Sequence, residues 1–199
     1  MKALLGLLLP MVLLAAEPLP PCCRPALALG QPTDQSLYLL DSTWTSDVGR
    51  KIKLGALRGR PQIIALFFTH CEYACPILVS EIKAIENKLP PEVLGKVDFL
   101  LVSIDSKRDT PAELAIFREK RQLAHERWTL LRGGADDVRE LAALLGVNYA
   151  EDSRGQFAHS NLITLLNADG EIVFQHMGLK QDSSLLLDAV EKAARGAQR

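Results

Sequence analysis

Two stretches of nearly unbroken apolar residues, 62–68 (Gln-Ile-Ile-Ala-Leu-Phe-Phe) and 97–104 (Val-Asp-Phe-Leu-Leu-Val-Ser-Ile), are rich in β-branched and aromatic side chains. Runs of that length and type predict strands covered on both faces. Two more strand-like runs, 160–166 and 171–175, flank Asn167-Ala168-Asp169-Gly170, whose Asp-Gly predicts the turn of a hairpin. Elsewhere the apolar period becomes helical. Pro76 opens a segment with Leu78, Ile82 and Ile85 that runs into Pro90-Pro91; a helix is predicted from Pro76 to Leu89, with Cys75 as its cap. Thr110-Pro111-Ala112-Glu113 has capping-box spacing and predicts a helix to about Leu123. Val138, Leu141, Leu144 and Leu145 mark a third helix closed by Gly146, and Leu185, Leu186, Ala189, Val190 and Ala193 mark a fourth. The order strand, helix, strand, helix, short strand, helix, hairpin, helix predicts an α/β fold, a mixed sheet flanked by helices. The mixed-sign run Arg118-Glu119-Lys120-Arg121 reads as a solvated helix face.

The first residues follow a different pattern. Met1-Lys2 precedes an apolar run from Ala3 to Ala16, followed by Glu17 and a Pro-rich stretch. One charge, an apolar segment too short to span a bilayer comfortably and small residues at its end predict an export signal. Cleavage is expected near residue 16 or 28, so that 1–28 is leader and linker and 29–199 is one domain. The expected location is the periplasm or the outer face of the inner membrane, with membrane association where the leader is retained. Cys22 and Cys23 fall in the linker, and adjacent Cα atoms, about 3.8 Å apart, make a disulfide between them strained.

Composition narrows the classes further. With 48% hydrophobic and 24% charged residues, the chain of 199 residues is globular and not disordered throughout. Lys+Arg total 23 and Asp+Glu 24, a net charge of -1, so no basic excess exists to neutralise phosphates and nucleic acid is not an expected partner. A domain of this size buries a core without disulfides, and its cysteines call for a chemical explanation.

Thr69-His70-Cys71-Glu72-Tyr73-Ala74-Cys75-Pro76 lies where a predicted central strand ends and a helix begins. A helix N-terminus stabilises thiolates and lowers thiol pKa values, and ligands of open α/β sheets gather beyond the carboxyl ends of strands. Two reactive sulfurs separated by three residues either close a disulfide or chelate a soft metal. A structural zinc site would normally need a fourth protein ligand, and no further cysteine follows.

Three segments in order, Phe67-Phe68-Thr69-His70-Cys71-x-x-x-Cys75-Pro76, then Val102-Ser103-Ile104-Asp105-x-x-Arg108-Asp109-Thr110-Pro111, then a lone His159 before a strand, give the chain its resemblance to the Sco/SenC family. It resembles these thioredoxin-like, copper-binding assembly proteins from about Ser36 to Ala194. The resemblance implies a thioredoxin fold with an inserted hairpin, and copper, as Cu(I) or Cu(II), held by Cys71, Cys75 and His159. It implies a metallochaperone role in building the copper centre of a respiratory oxidase, with an oxidase subunit as recipient. Between its cysteines this chain has Glu72-Tyr73-Ala74 where relatives commonly carry Asp or Pro, and Ala158 precedes His159 in place of an acidic residue.

Of the other histidines, His125 reads as a surface residue, His176 as a surface residue or a secondary metal contact, and His70 as a neighbour of Cys71 turned to the opposite side. The rival function is an exported thiol-disulfide oxidoreductase, with Cys71 attacking and Cys75 resolving. Against it stand the three-residue spacer and the lack of any proline after Pro111 for the turn that faces the cysteines of ordinary thioredoxin-like oxidoreductases. In an oxidising compartment the pair tends to close, so a thiol reductant is an expected partner. A peroxidase is disfavoured because one residue, not two, separates Thr69 from Cys71.

Overall fold

The computed structural model describes residues 32–153 and 156–196; the expected leader, with Cys22 and Cys23, lies outside them. Seven strands, β1 (Trp44–Ser46), β2 (Lys51–Ile52), β3 (Gln62–Phe67), β4 (Asp98–Ser103), β5 (Trp128–Arg132), β8 (Leu162–Leu166) and β9 (Ile172–Met177), form one sheet in the order β2-β1-β5-β4-β3-β8-β9. β6 (Tyr149–Glu151) and β7 (Phe157–His159) form a separate ribbon. The helices are α1 (Ala74–Lys88), α2 (Pro91–Leu94), α3 (Pro111–Arg121), α4 (Ala135–Leu144) and α5 (Ser184–Gly196). The result is the mixed sheet flanked by helices that the pattern predicts, and the ribbon answers to the inserted hairpin.

β3, β4 and β5 run parallel, while β8 is antiparallel to β3 and β9 to β8. Every residue of β3, β4 and β8 is buried, which is why their sequences are apolar without alternation. α1 packs through Leu78, Val79, Ile82 and Ile85, which fall on one face at i, i+1, i+4 and i+7, and ends before Pro90-Pro91. At its last turn the buried Glu86 accepts from Arg127 Nε (2.8 Å) and Trp128 Nε1 (2.9 Å). The ring of Trp128 stacks on Phe99 at 4.8 Å. In the β8–β9 turn Gly170 has φ +85 and a Cβ there would meet Tyr38 at 2.5 Å, so the turn requires glycine twice over.

Several expectations are corrected. α1 begins at Ala74, with Tyr73 as N-cap, so Cys75 lies inside the first turn and is not the cap. Pro76 is tolerated there because first-turn N–H groups have no intrahelical acceptor. The strand predicted at 160–166 starts at Leu162 as β8, and His159, three residues ahead of it, ends β7. The run at 118–121 is not a solvated face throughout. Arg118 is buried, ion-paired with Asp47 on the turn after β1, and donates to the carbonyls of Leu123 (3.1 Å) and Trp128 (3.0 Å). Leu144 and Leu185 fall off the buried stripes of their helices and are 49% and 67% exposed.

The topology gathers three connections at one end of the sheet. β3 and β4 are parallel and finish there, and β8, antiparallel to β3, starts there. The β3–α1 loop brings the cysteines, the β4–α3 loop brings Asp105 and Asp109, and the chain entering β8 brings His159.

Candidate metal centre

Cys71 Sγ, Cys75 Sγ and one ring nitrogen of His159 all lie within 4.8 Å of one another. The two cysteines are free thiols; Cys71 is half-buried and Cys75 is wholly buried. The helix start builds the pair: the N–H of Cys75, in the first turn of α1, donates to Cys71 Sγ at 3.3 Å, one of the orphan donors that a helix N-terminus always presents.

The sulfurs share one proton unequally. The Cys75 thiol hydrogen-bonds to Cys71 and, with help from His159 and the backbone N–H groups of Cys75 and Tyr73, brings Cys71 down to about 3 against the opposing effect of its partial burial. Cys75 moves up, because it donates to Cys71, is desolvated, and faces the negative charges of Cys71 and Asp109. The resting pair is a thiolate at Cys71 and a thiol at Cys75. Alkylation by iodoacetamide should therefore modify Cys71 alone. Because its pKa is lowered, the thiolate persists as pH falls, and the rate should stay nearly flat from about pH 8 to pH 5, where an ordinary thiol slows about tenfold per unit. A mass-resolved rate profile checks this, and a tenfold fall per unit would refute the assignment.

His159 Nε2 lies 3.6 Å from Cys75 Sγ, and Nδ1 lies 3.1 Å from the carbonyl oxygen of Ser160. A carbonyl only accepts, so Nδ1 donates to it and Nε2 is the ring nitrogen turned toward the sulfurs, the one whose lone pair a metal would take. Phe157, on the same face of β7, packs edge-on to Phe68 (5.3 Å) and beside Tyr149 (6.1 Å), with the Arg108 guanidinium 6.0 Å above its ring. Phe68 also meets the imidazole edge-on at 6.0 Å. Lys107 pairs with Glu151 of β6 at 3.0 Å. These contacts tie the ribbon to the body.

Behind the cysteine loop stands Asp109, fully buried, which accepts from Thr69 N–H (3.0 Å), Thr69 Oγ1 (2.6 Å) and Ser103 Oγ. Asp105 accepts from the N–H groups of Lys107 (3.2 Å) and Arg108 (3.0 Å) and pairs with the Arg108 side chain. Thr110 caps α3 by accepting from Glu113 N–H at 3.3 Å. The Asp-x-x-Arg-Asp-Thr-Pro motif marks this segment in the sequence but gives Asp109 no role; an acid directly before the Thr110-Pro111 helix cap was the available signal, and its burial was not.

The remaining histidines lie elsewhere. His70 is exposed and hydrogen-bonded to Thr69 Oγ1 at 2.9 Å, on the Asp109 side and away from the sulfur cluster. His125 is exposed, and His176 lies on β9, outside the cluster.

A family model described as SCO1/SenC matches residues 32–195. The chain is 26% identical over 153 residues to the mitochondrial protein SCO1 homolog 1 of Arabidopsis thaliana, covering 75% of this chain and 45% of that one. It spans about half the length of the curated relatives it matches. Among solved structures, Arabidopsis thaliana ScoI with copper bound superposes with a TM-score of 0.66 at 21% identity, covering 78% of this chain and 96% of that one. BsSco, a member of the Sco family of cytochrome c oxidase assembly proteins in which a disulfide switch has been identified, superposes with a TM-score of 0.69 at 22% identity, covering 84% and 98%.

Proposed function

The chain belongs to the SCO1/SenC family, and on that premise we propose that it takes up copper through Cys71, Cys75 and His159. It then delivers the metal to, or primes the thiols of, the copper centre of a respiratory oxidase. The observation that carries this reading is the convergence of two sulfurs and an imidazole nitrogen within 4.8 Å of one another. Cu(I) prefers soft thiolates and accepts imidazole, whereas carboxylate-loving metals do not suit this set. Three protein donors leave copper open to a receiving ligand, and a structural zinc would normally be closed by a fourth. Uptake requires both sulfurs as thiolates; with Cys71 already deprotonated, only Cys75 has a proton to give up.

Export belongs to the proposal. The apolar leader at 3–16 directs the domain to the periplasm or the outer face of the inner membrane, and a thiol reductant keeps the pair able to accept metal there. Among the described residues no helix is long and apolar enough to cross a membrane.

A second reading, an exported thiol-disulfide oxidoreductase, is favoured by one observation: an accessible thiolate at Cys71 backed by a buried thiol at Cys75. In that reaction Cys71 attacks a substrate disulfide and Cys75 displaces the mixed disulfide, so the protein pair loses two electrons and the substrate gains them.

His159→Ala separates the readings. It leaves both sulfurs in place, so the alkylation rate of Cys71 and the thermal midpoint should change little, while retention of Cu(I) against a competing chelator should weaken by about tenfold or more. The wild-type reduced protein should hold about one Cu(I) per chain. Unchanged retention in the variant would remove the imidazole from the site, and a reduced wild-type protein that holds no Cu(I) would remove the metallochaperone reading.

A further inference from the structure

We propose that the outer edge of β7 is a docking strand for an extended, cysteine-bearing segment of the partner polypeptide; this rests on the thiol and copper chemistry proposed above. β7 pairs with β6 on one side only. Two hydrogen bonds continue the ribbon, from Asp152 N–H to the Gln156 carbonyl (2.7 Å) and from Ser160 N–H to the Asn148 carbonyl (3.0 Å). With the register Tyr149↔His159, Ala150↔Ala158 and Glu151↔Phe157, the alternation of an antiparallel ladder makes Ala158 face β6 with its main-chain groups. Phe157 and His159 therefore turn their N–H and C=O outward, and among the described residues none of these four groups has a backbone partner. Donors and acceptors repeated at two-residue spacing are what an added strand satisfies.

The same strand geometry says what the occupant carries. Phe157 and His159 project their side chains to one face, where the phenyl ring meets Phe68 and Nε2 points at Cys75 Sγ. A strand added about 4.8 Å from β7 puts the side chains opposite Phe157 and His159 on that face as well, toward the sulfurs. Cys71 opens into a cleft of about 600 Å³ that Phe157 and Gln156 line from the ribbon side. Tyr73, 81% exposed, stands on the other wall as an uncovered aromatic anchor. An unpaired backbone edge calls for a main chain, and a free, half-buried cysteine sulfur opening into the cleft calls for sulfur. Phe157 of that edge and Cys71 line the same cleft.

The test uses the reduced, metal-free chain and the peptide Thr-Val-Thr-Cys-Thr-Val-Thr, its cysteine held as a mixed disulfide with thionitrobenzoate. Cys71 Sγ attacks the peptide sulfur, a new S–S bond forms as the old one breaks, and thionitrobenzoate leaves as a coloured thiolate with the electron pair. The rate, normalised to the rate with the thionitrobenzoate mixed disulfide of glutathione, should fall about tenfold when the peptide is N-methylated at the cysteine and at the residue two positions on, because two main-chain hydrogen bonds to the edge are lost. In the conjugate trapped with Cys75→Ser, hydrogen exchange at the amides of Phe157 and His159 should slow by a similar factor. Equal normalised rates, or amides that exchange as fast as in the free protein, would overturn the docking. Neither readout involves copper, so failure here leaves the metal reading standing, and failure of copper uptake alters neither readout.

Discussion

Replacing Cys71 or Cys75 by serine is expected to abolish tight Cu(I) binding. A serine hydroxyl is a hard donor that stays protonated at neutral pH, so either variant leaves one sulfur and one imidazole for a metal that prefers thiolates. Changes around a ligand weaken metal sites about 10–100-fold; loss of a ligand should exceed that, more than about a hundredfold in chelator competition. The fold should tolerate both changes. Cys71 is half-buried at a loop, and a serine at buried position 75 keeps a hydrogen to donate toward Cys71. Wild-type affinity in either variant, with the variant folded, would dismiss the sulfur pair as the site.

Oxidation should be as decisive as mutation. Closing the Cys71–Cys75 disulfide removes two electrons and the one proton the pair still holds and leaves neither sulfur as a thiolate, so the oxidised protein should take up no Cu(I) at stoichiometric ratios, and dithiothreitol should restore about one per chain. The sulfurs are near enough for this, being among donors that all lie within 4.8 Å. Mass spectrometry without reduction, paired with metal analysis, gives the answer: Cu(I) bound equally well by the disulfide form would place the site elsewhere. Rapid multi-turnover reduction of unrelated disulfides would instead favour the oxidoreductase.

What could be read from the sequence divides along physical lines. β3, β4 and β8 are buried on both faces, so their residues are mostly apolar without alternation and announce themselves. β1, β2, β6 and β7 are two or three residues long, too short for a period of two to be visible. The cysteines were legible because Pro76 and the apolar spacing behind it mark the helix start. The resemblance implied His159; its coming to Cys75 depends on a ribbon no local pattern foretold. Arg118 went unread because burial of a charge is decided by a distant partner: Asp47 is far away in sequence, and a mixed-sign run looks the same whether solvated or paired.

The anchoring of Thr69 by Asp109 has a kinetic consequence. With the carboxylate gripping both the main chain and the hydroxyl of the residue just ahead of the His70-Cys71 step, the segment is ordered before any metal arrives. Fixing a residue of backbone opposes binding by about 1–2 kcal/mol when it happens on the bound state; here that ordering is completed during folding. Metal entry and exit should then proceed with little reorganisation of the protein, their rate set by ligand substitution at the sulfurs and not by a refolding loop.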